Sequence, residues 1–461
     1  MTTEAANVTV RESVPPAPRQ WGLRTRDVEA VLAVNLLLIT AMWVRHGGIA
    51  SVSDSGGALT AAGQLTGLYG TFASLVALAL MARMPWLEQL VGAAHLADWH
   101  RWAGVATVSL LVAHTGLITL GYAASTNSGI WAQFWDFLTT YPDVLMATVG
   151  LALLVAVGVT SARAARRRLP YETWYFIHLY AYLGIALGFA HQLAVGTDFV
   201  SDPVARGYWI VLYVGTAAVI LVFRVAVPLA AANRYQLRVA SVVPDADGVV
   251  SISIAGRHLD RLAVSAGQFF LWRFLTRDGW WRAHPFSLSA EPDGRRLRIT
   301  VEAVGDYTSL LQHVRPGTRM MAEGPYGTLT ATRRTQPKVL LIAGGVGITP
   351  LRALLGELSR ESADVVLLYR ASDWNRVLLK DELDELGASR RVTIRYLVGR
   401  RGSAELPQDP FTPRALRRAV PDALTRDVYV CGPDGMMAVV RDGLHKLGVP
   451  DARIHFERFA Y

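Results

Sequence analysis

Between Val28 and about Ala231 the chain alternates six long apolar runs with short polar breaks, and no other feature limits its fold as strongly. The runs are Val28–Val44, Gln64–Met81, Trp102–Tyr122, Pro142–Val159, Thr173–Val195 and Gly207–Pro228. Each has about the 17–25 residues that cross a ~30 Å hydrocarbon core as a helix. Six of them in one block indicate a membrane domain rather than buried helices of a soluble protein. About 27 mostly polar residues precede the first run and no small-residue cleavage site follows it, so it is expected to stay as a span. Composition agrees: charged residues make up 18% of the 461, against roughly 25% in soluble domains. The single cysteine, Cys431, excludes a disulfide framework, a Cys-ligated zinc site and an intrinsic iron–sulfur cluster.

The net charge of +9 is a matter of membrane topology rather than of nucleic-acid binding. Arg11, Arg19, Arg24 and Arg26 precede the first run, and Arg163, Arg166, Arg167 and Arg168 fill the break between the fourth and fifth. Trp102–Ser161 contains no Lys or Arg. The positive-inside rule therefore places both termini and the Arg163–Arg168 cluster in the cytoplasm. Runs three and five then cross the membrane in the same direction. Trp131, Trp135 and Tyr141 suit the outer interface, where aromatic side chains anchor.

The second half has a different pattern. Tyr235–Ile254, Gly267–Phe274 and Arg296–Val304 alternate as strands do. After Pro337 strands and helices alternate: Val339–Ala343, a helix from Pro350, Val365–Tyr369, a helix over Leu379–Leu386, Val392–Val398 and Val428–Cys431. Such a series builds a parallel sheet with a ligand site at its carboxyl edge. The expected organisation is an N-terminal arm (1–27), a six-helix membrane domain (28–232), an antiparallel β-barrel domain (233–334) and an α/β nucleotide domain (335–461).

Four histidines fall in runs three and five or at their inner ends: His100 and His114, then His178 and His191. An ionisable residue at membrane depth marks function unless a partner satisfies it. The 14 residues from His100 to His114 give about 21 Å of rise and about 1400° of turn, which leaves both rings on one face. The 13 residues from His178 to His191 give about 19.5 Å but set the rings about 140° apart on an ideal helix; Gly184 and Gly188 lie between them, where a helix can distort locally. With the two helices parallel, His100 matches His178 in depth and His114 matches His191. Each pair can clamp one haem iron from both sides, leaving no open coordination site, an arrangement suited to electron transfer. The alternative is four histidines satisfied by backbone or neighbouring polar groups.

Two such pairs on the third and fifth of six spans resemble the ferric-reductase/NADPH-oxidase superfamily. The resemblance implies two stacked b-type haems and a cytoplasmic flavin–NADPH reductase, in an integral protein of a bacterial plasma membrane. The second half carries matching motifs. His284-Pro285-Phe286-Ser287 resembles the flavin signature of ferredoxin–NADP reductases, with the aromatic on the flavin and the serine near its reactive edge. His284 stands where soluble relatives have arginine, and Arg282 is placed to assist a phosphate contact. Gly305-Asp306-Tyr307-Thr308 opens a helix whose amides can hold a pyrophosphate, and Glu323-Gly324-Pro325-Tyr326-Gly327 closes the domain. Gly344-Gly345-Val346-Gly347-Ile348-Thr349-Pro350 forms a glycine turn between strand and helix for a dinucleotide pyrophosphate. Arg370 is a candidate for the ribose 2′-phosphate, and Cys431-Gly432-Pro433 resembles the nicotinamide-side motif. A C-terminal aromatic, Phe459 before Tyr461, is expected over the flavin ring.

The resemblance thus implies NADPH, FAD and two haems in series, delivering single electrons to a small diffusible acceptor. Oxygen giving superoxide, or a ferric or cupric chelate, fits that role. A different class of reading makes the membrane block a transporter with histidine proton relays and a redox-sensing cytoplasmic domain. No EF-hand ligand series is present, so calcium gating is not indicated.

Overall fold

All six apolar runs are helices in the computed structural model, which describes residues 24–457 apart from 197–199, 201, 278, 362, 389–390, 401, 404–405 and 407. The spans are α1 (Thr25–Arg45), α2 (Ser55–Leu80), α4 (Ala93–Thr126), α6 (Val144–Ser161), α7 (Tyr171–Val195) and α8 (Pro203–Tyr235). Short helices that the apolar pattern does not announce lie between them, including α3 (Pro85–Val91), α5 (Ile130–Thr140) and the single turn Arg163–Arg166. Lipid-facing positions stay apolar and uncovered, as at Leu37, Val211 and Val214. The most enclosed span is α2, packed along α4, and α6 packs along α7. Asp54 caps α2 by accepting from the Gly57 amide at 2.7 Å. Asp202 caps α8 in the same way through Val204 and also binds His46 at 2.8 Å, which ties the end of α1 to the start of α8.

No break or π-helical turn occurs at Gly184 or Gly188. α7 is α-helical throughout, and Gly184 faces Gly150 so that α6 and α7 approach closely. A π-helical stretch occurs instead in α8, over Val222–Ala226. α5 is amphipathic, with Trp131 and Trp135 exposed by 83% and 67% and Phe137 buried.

Six strands then form two three-stranded sheets, β1 (Arg238–Ala246)–β2 (Val249–Ala255)–β5 (Arg296–Glu302) and β4 (His284–Ser287)–β3 (Phe269–Phe274)–β6 (Met320–Tyr326). Single bridges Leu288↔Ile299 and Arg238↔Arg319 join them at both edges into an antiparallel barrel. Phe270, Trp272, Phe274, Ile252, Ile254 and Ile299 fill its core. The last unit is a parallel sheet ordered β11 (Ile454–Glu457), β10 (Arg426–Cys431), β7 (Lys338–Gly344), β8 (Asp364–Ala371), β9 (Val392–Val398). Near-continuous apolar strands, such as Val339–Ala343, are buried on both faces, as a sheet covered by helices requires. Helices α10 (Ile348–Arg360), α11 (Lys380–Gly387), α12 (Pro413–Ala419) and α13 (Asp434–Leu447) follow β7, β8, β9 and β10 in turn.

Candidate functional site

Both histidine pairs gather between α4 and α7, even though 13 residues of regular helix set His178 and His191 about 140° apart. His100 and His178 lie edge to face, with ring centroids 5.9 Å apart. His114 and His191 line one cavity of about 290 Å³ between α2, α4, α6, α7 and α8. His100 Nδ1 donates to the Ala77 carbonyl at 2.9 Å, and His114 Nδ1 donates to the Gly63 carbonyl at 2.8 Å. A carbonyl only accepts, so the proton of both rings sits on Nδ1 and the Nε2 lone pair is left for a metal. This is the arrangement that orients metal-ligating histidines. His178 Nδ1 lies 3.3 Å from Ser161 Oγ, which also accepts from the Trp174 indole. His191 Nδ1 is buried and has no hydrogen-bond partner among the described residues. Among the described residues no group of three or more His, Cys, Asp or Glu gathers to hold a metal ion, so any metal here rests on these pairs. A polar relay crosses the same cavity: the Tyr213 hydroxyl donates to Gln192, which donates to Thr71.

In the barrel, β4 pairs with β3 so that Ser287 lies opposite Phe269, Phe286 opposite Phe270 and Pro285 opposite Leu271. The Trp272 indole donates to the Phe286 carbonyl at 2.9 Å and fixes that strand. Ser287 Oγ is buried and lacks a hydrogen-bond partner among the described residues, as does Arg282 Nε. Two orphaned donors beside an aromatic strand fit a bound flavin. His284 stacks on Tyr307 at 4.1 Å. Burial, then the charge of Arg282, hold the imidazole below its ordinary pKa, so it is neutral at pH 7. Arg282 is not free to act as a phosphate clamp alone, since it pairs at 3.4 Å with Glu172 in the first turn of α7. Thr308 Oγ accepts from the Val304 and Gly305 amides at 3.0 Å and so shapes the turn into α9 (Asp306–Leu311). Gly324 lies in β6 against Phe270.

The nucleotide cavity, about 490 Å³, opens at the carboxyl edge of the parallel sheet. Gly344, Gly345, Arg370, Arg376, Arg400 and Pro433 are among its lining residues. Gly347 is required where the β7 turn meets the β10 turn, because a Cβ there would stand 2.4 Å from the Cys431 carbonyl. Thr349 Oγ donates back to Val346 at 3.0 Å beside buried Pro350. The Tyr369 hydroxyl, which donates to Gly345 and accepts from Leu378, braces the glycine turn. Arg370 donates to the Ala371 and Leu397 carbonyls, which leaves Arg400 as a second cation at the same edge. Cys431 is wholly buried, with Gly432 and Pro433 leading into α13, and burial pushes its thiol pKa up. Phe459 and Tyr461 lie outside the described residues.

The motifs do not announce a seam between the membrane block and the barrel. Arg83, between α2 and α3, pairs at 2.7 Å with Glu323 of β6, and Glu88 of α3 and Glu457 of β11 lie beside it.

Residues 66–189 match the model of the ferric reductase like transmembrane component, and residues 341–442 match the oxidoreductase NAD-binding domain. The chain is 32% identical over 236 residues to the ferredoxin reductase component of a 3-ketosteroid-9-alpha-monooxygenase from Mycolicibacterium smegmatis, covering 49% of this chain and 65% of that protein. It is 32% identical over 192 residues to ferredoxin–NADP reductase B of Sorangium cellulosum, covering 38% and 77%. This chain thus spans just under two thirds of the first relative's length. The flavohem-like FAD/NAD-binding domain of a Vibrio cholerae nitric oxide dioxygenase aligns at a TM-score of 0.41 and 25% identity, over 48% of this chain and 97% of that one. The reductase half belongs with the ferredoxin–NADP reductases, and with six spans leading into a barrel and a parallel nucleotide sheet the chain has the architecture of the ferric reductase/NADPH oxidase-like superfamily.

Proposed function

We propose that this chain carries electrons from cytoplasmic NADPH across the membrane to an extracytoplasmic one-electron acceptor, and that the acceptor is oxygen, giving superoxide. The observation that carries this reading is the pair of Nδ1-anchored histidines on α4, each at the depth of a histidine on α7. His100 with His178, and His114 with His191, would hold two b-type haems. Ser287, Phe286, Pro285 and His284, with Arg282, Gly305, Tyr307, Thr308 and Gly324, would hold FAD. Gly344, Gly345, Gly347, Thr349, Pro350 and Arg370 would hold NADPH, and Cys431, Gly432, Pro433 and Phe459 its nicotinamide side. When bound, FAD would convert a two-electron donor into single electrons, and the haems would pass them singly across the bilayer.

The chain's own part is positional. Ala77 and Gly63 fix the histidine tautomers, and Trp272 and Tyr369 hold the two binding turns. Burial of Cys431 keeps its thiol protonated beside the nucleotide edge. No side chain needs to act as a nucleophile. Arginines flanking α1 and α7 favour cytoplasmic termini.

A ferric or cupric chelate is the second reading of the acceptor, favoured by the match to a ferric reductase like component. Proteoliposomes given NADPH on the cytoplasmic side decide between them. Superoxide formation that is unaffected by added ferric chelate supports oxygen. Chelate reduction that outruns and suppresses superoxide formation overturns it in favour of the metal.

A further inference from the structure

The seam between the membrane block and the reductase has more carboxyls than cations. Arg83 adopts a left-handed backbone (φ 62°) and reaches Glu323, whose carboxylate also accepts from the Tyr326 hydroxyl at 3.2 Å. Arg224, at the inner end of α8, adds its charge to the same Arg83–Glu323 pair. Among the described residues Glu88 feels only Arg83, which is already bound to Glu323, and Glu457 has no cation acting on it. The Gly327 amide donates to Glu88. On the other flank of Gly327, a side chain would meet both Glu457 carboxyl oxygens at 2.8 Å. Glu88 is 8% exposed, and its Oε1 has no hydrogen-bond partner among the described residues; the same is true of the sealed Oε2 of Glu457. Two unpaired carboxylates cannot stay ionised together in such a place.

We propose that Glu88 and Glu457 share a proton across Gly327, so that the membrane block and the reductase are clasped by a protonated carboxyl pair. The pair stands at the reactive end of the barrel, since Phe269, which touches Gly327, is paired with Ser287 on one side and Tyr326 on the other. Cys431 faces Glu457 from β10, its Sγ 3.9 Å from the Glu457 carbonyl. The titratable and charged groups around the pair are therefore Arg83, Glu323, Tyr326, Arg224 and Cys431. Burial raises the Glu88 carboxyl from 4.5 to about 7, and burial followed by the nearby Glu88 raises Glu457 to about 8. The docked state thus binds more protons than the undocked one. Its advantage is full below the ordinary carboxyl pKa and is lost as pH rises through 7 to 8. The clasp does not depend on which acceptor the enzyme serves.

The test uses the purified full-length protein in lipid nanodiscs, without NADPH. Infrared spectra follow the carbonyl stretch of protonated carboxylic acids from pH 6 to 9. Hydrogen exchange follows the protection of residues 82–92 and 320–327, corrected for intrinsic rates. Wild type should show a carboxylic band that fades through pH 7 to 8, and Glu88→Gln should lose part of it, with the Glu457 remainder fading at lower pH than in wild type. Seam protection should fall by up to about tenfold per pH unit for each proton released, and should depend less steeply on pH in Glu88→Gln, where only Glu457 titrates. If Glu457→Gln folds poorly, Glu88→Gln alone decides. A band unaltered by Glu88→Gln, or seam protection in wild type no more pH-dependent than in the variant, overturns the proposal. A haem-free protein that still shows the clasp would contradict the proposed function while leaving this pair intact.

Discussion

His100 and His178 face each other edge to face at 5.9 Å, while His100 Nδ1 donates to Ala77 of α2. That contact makes a third helix part of the pair's alignment. Replacing one ring with leucine removes a ligand without removing the helix. His100→Leu and His191→Leu are each expected to lose haem absorbance and transmembrane electron transfer. NADPH-driven reduction of a soluble dye by the reductase module should be unchanged. Absorbance spectra and dye assays of the purified variants check this.

The outer pair depends on a close approach of α2. A Cβ at Gly67 would stand 2.6 Å from His114 Nδ1, so the ring cannot keep its place in Gly67→Ala. Overpacking of this kind costs about 1–3 kcal/mol. The variant should lose the outer haem selectively and retain the inner one, which redox titration of the haem bands resolves as loss of one of two components. Loss of neither would separate Gly67 from haem binding.

Arg83 and Glu323 connect the membrane block to the barrel, with Glu323 9% exposed and the Arg83 side chain 29% exposed. Removing one partner of a fully buried pair costs about 3–5 kcal/mol, and the solvent around Arg83 reduces that here to about 2 kcal/mol. Arg83→Ala should slow reduction of the inner haem by NADPH while dye reduction stays normal. Stopped-flow absorbance separates those two rates.

At the nucleotide edge Arg370 is turned into the Ala371 and Leu397 carbonyls, whereas Arg400 lines the open cavity. Arg400→Ser should therefore raise KM for NADPH by about tenfold, the value of one charge-assisted contact, and change KM for NADH little. Arg370→Ala should lower thermal stability as well as NADPH affinity. Equal effects of Arg400→Ser on both nucleotides would remove it from 2′-phosphate recognition.

Much of the fold is legible because its signals are local. Apolar runs of membrane-crossing length, the Val339–Ala343 and Val392–Val398 strands and the glycine turn before Thr349 each declare themselves within a short window. The depth match of the histidines follows from helical rise and chain direction alone. What the sequence leaves dark is set by contacts between distant segments. Gly184 looks like a hinge in isolation, and only the presence of Gly150 across from it makes it a packing glycine. The motif places Arg282 beside a phosphate contact, but its pairing with Glu172 of α7 leaves no mark in the sequence. Glu88 sits on a seven-residue helix with no motif, and Glu457 lies two residues before the expected aromatic. Their burial exists only once membrane block and reductase dock. Bridges closing the barrel, Leu288↔Ile299 and Arg238↔Arg319, are single contacts and leave no periodic trace.

Anaerobic titration of the full-length protein with NADPH, followed by absorbance, tests the central claim most directly. The account predicts bleaching of the flavin together with the sharp bands of reduced b-type haem, at two haems per FAD, and loss of those bands on admitting air. Flavin bleaching with no haem band at any NADPH concentration would contradict it.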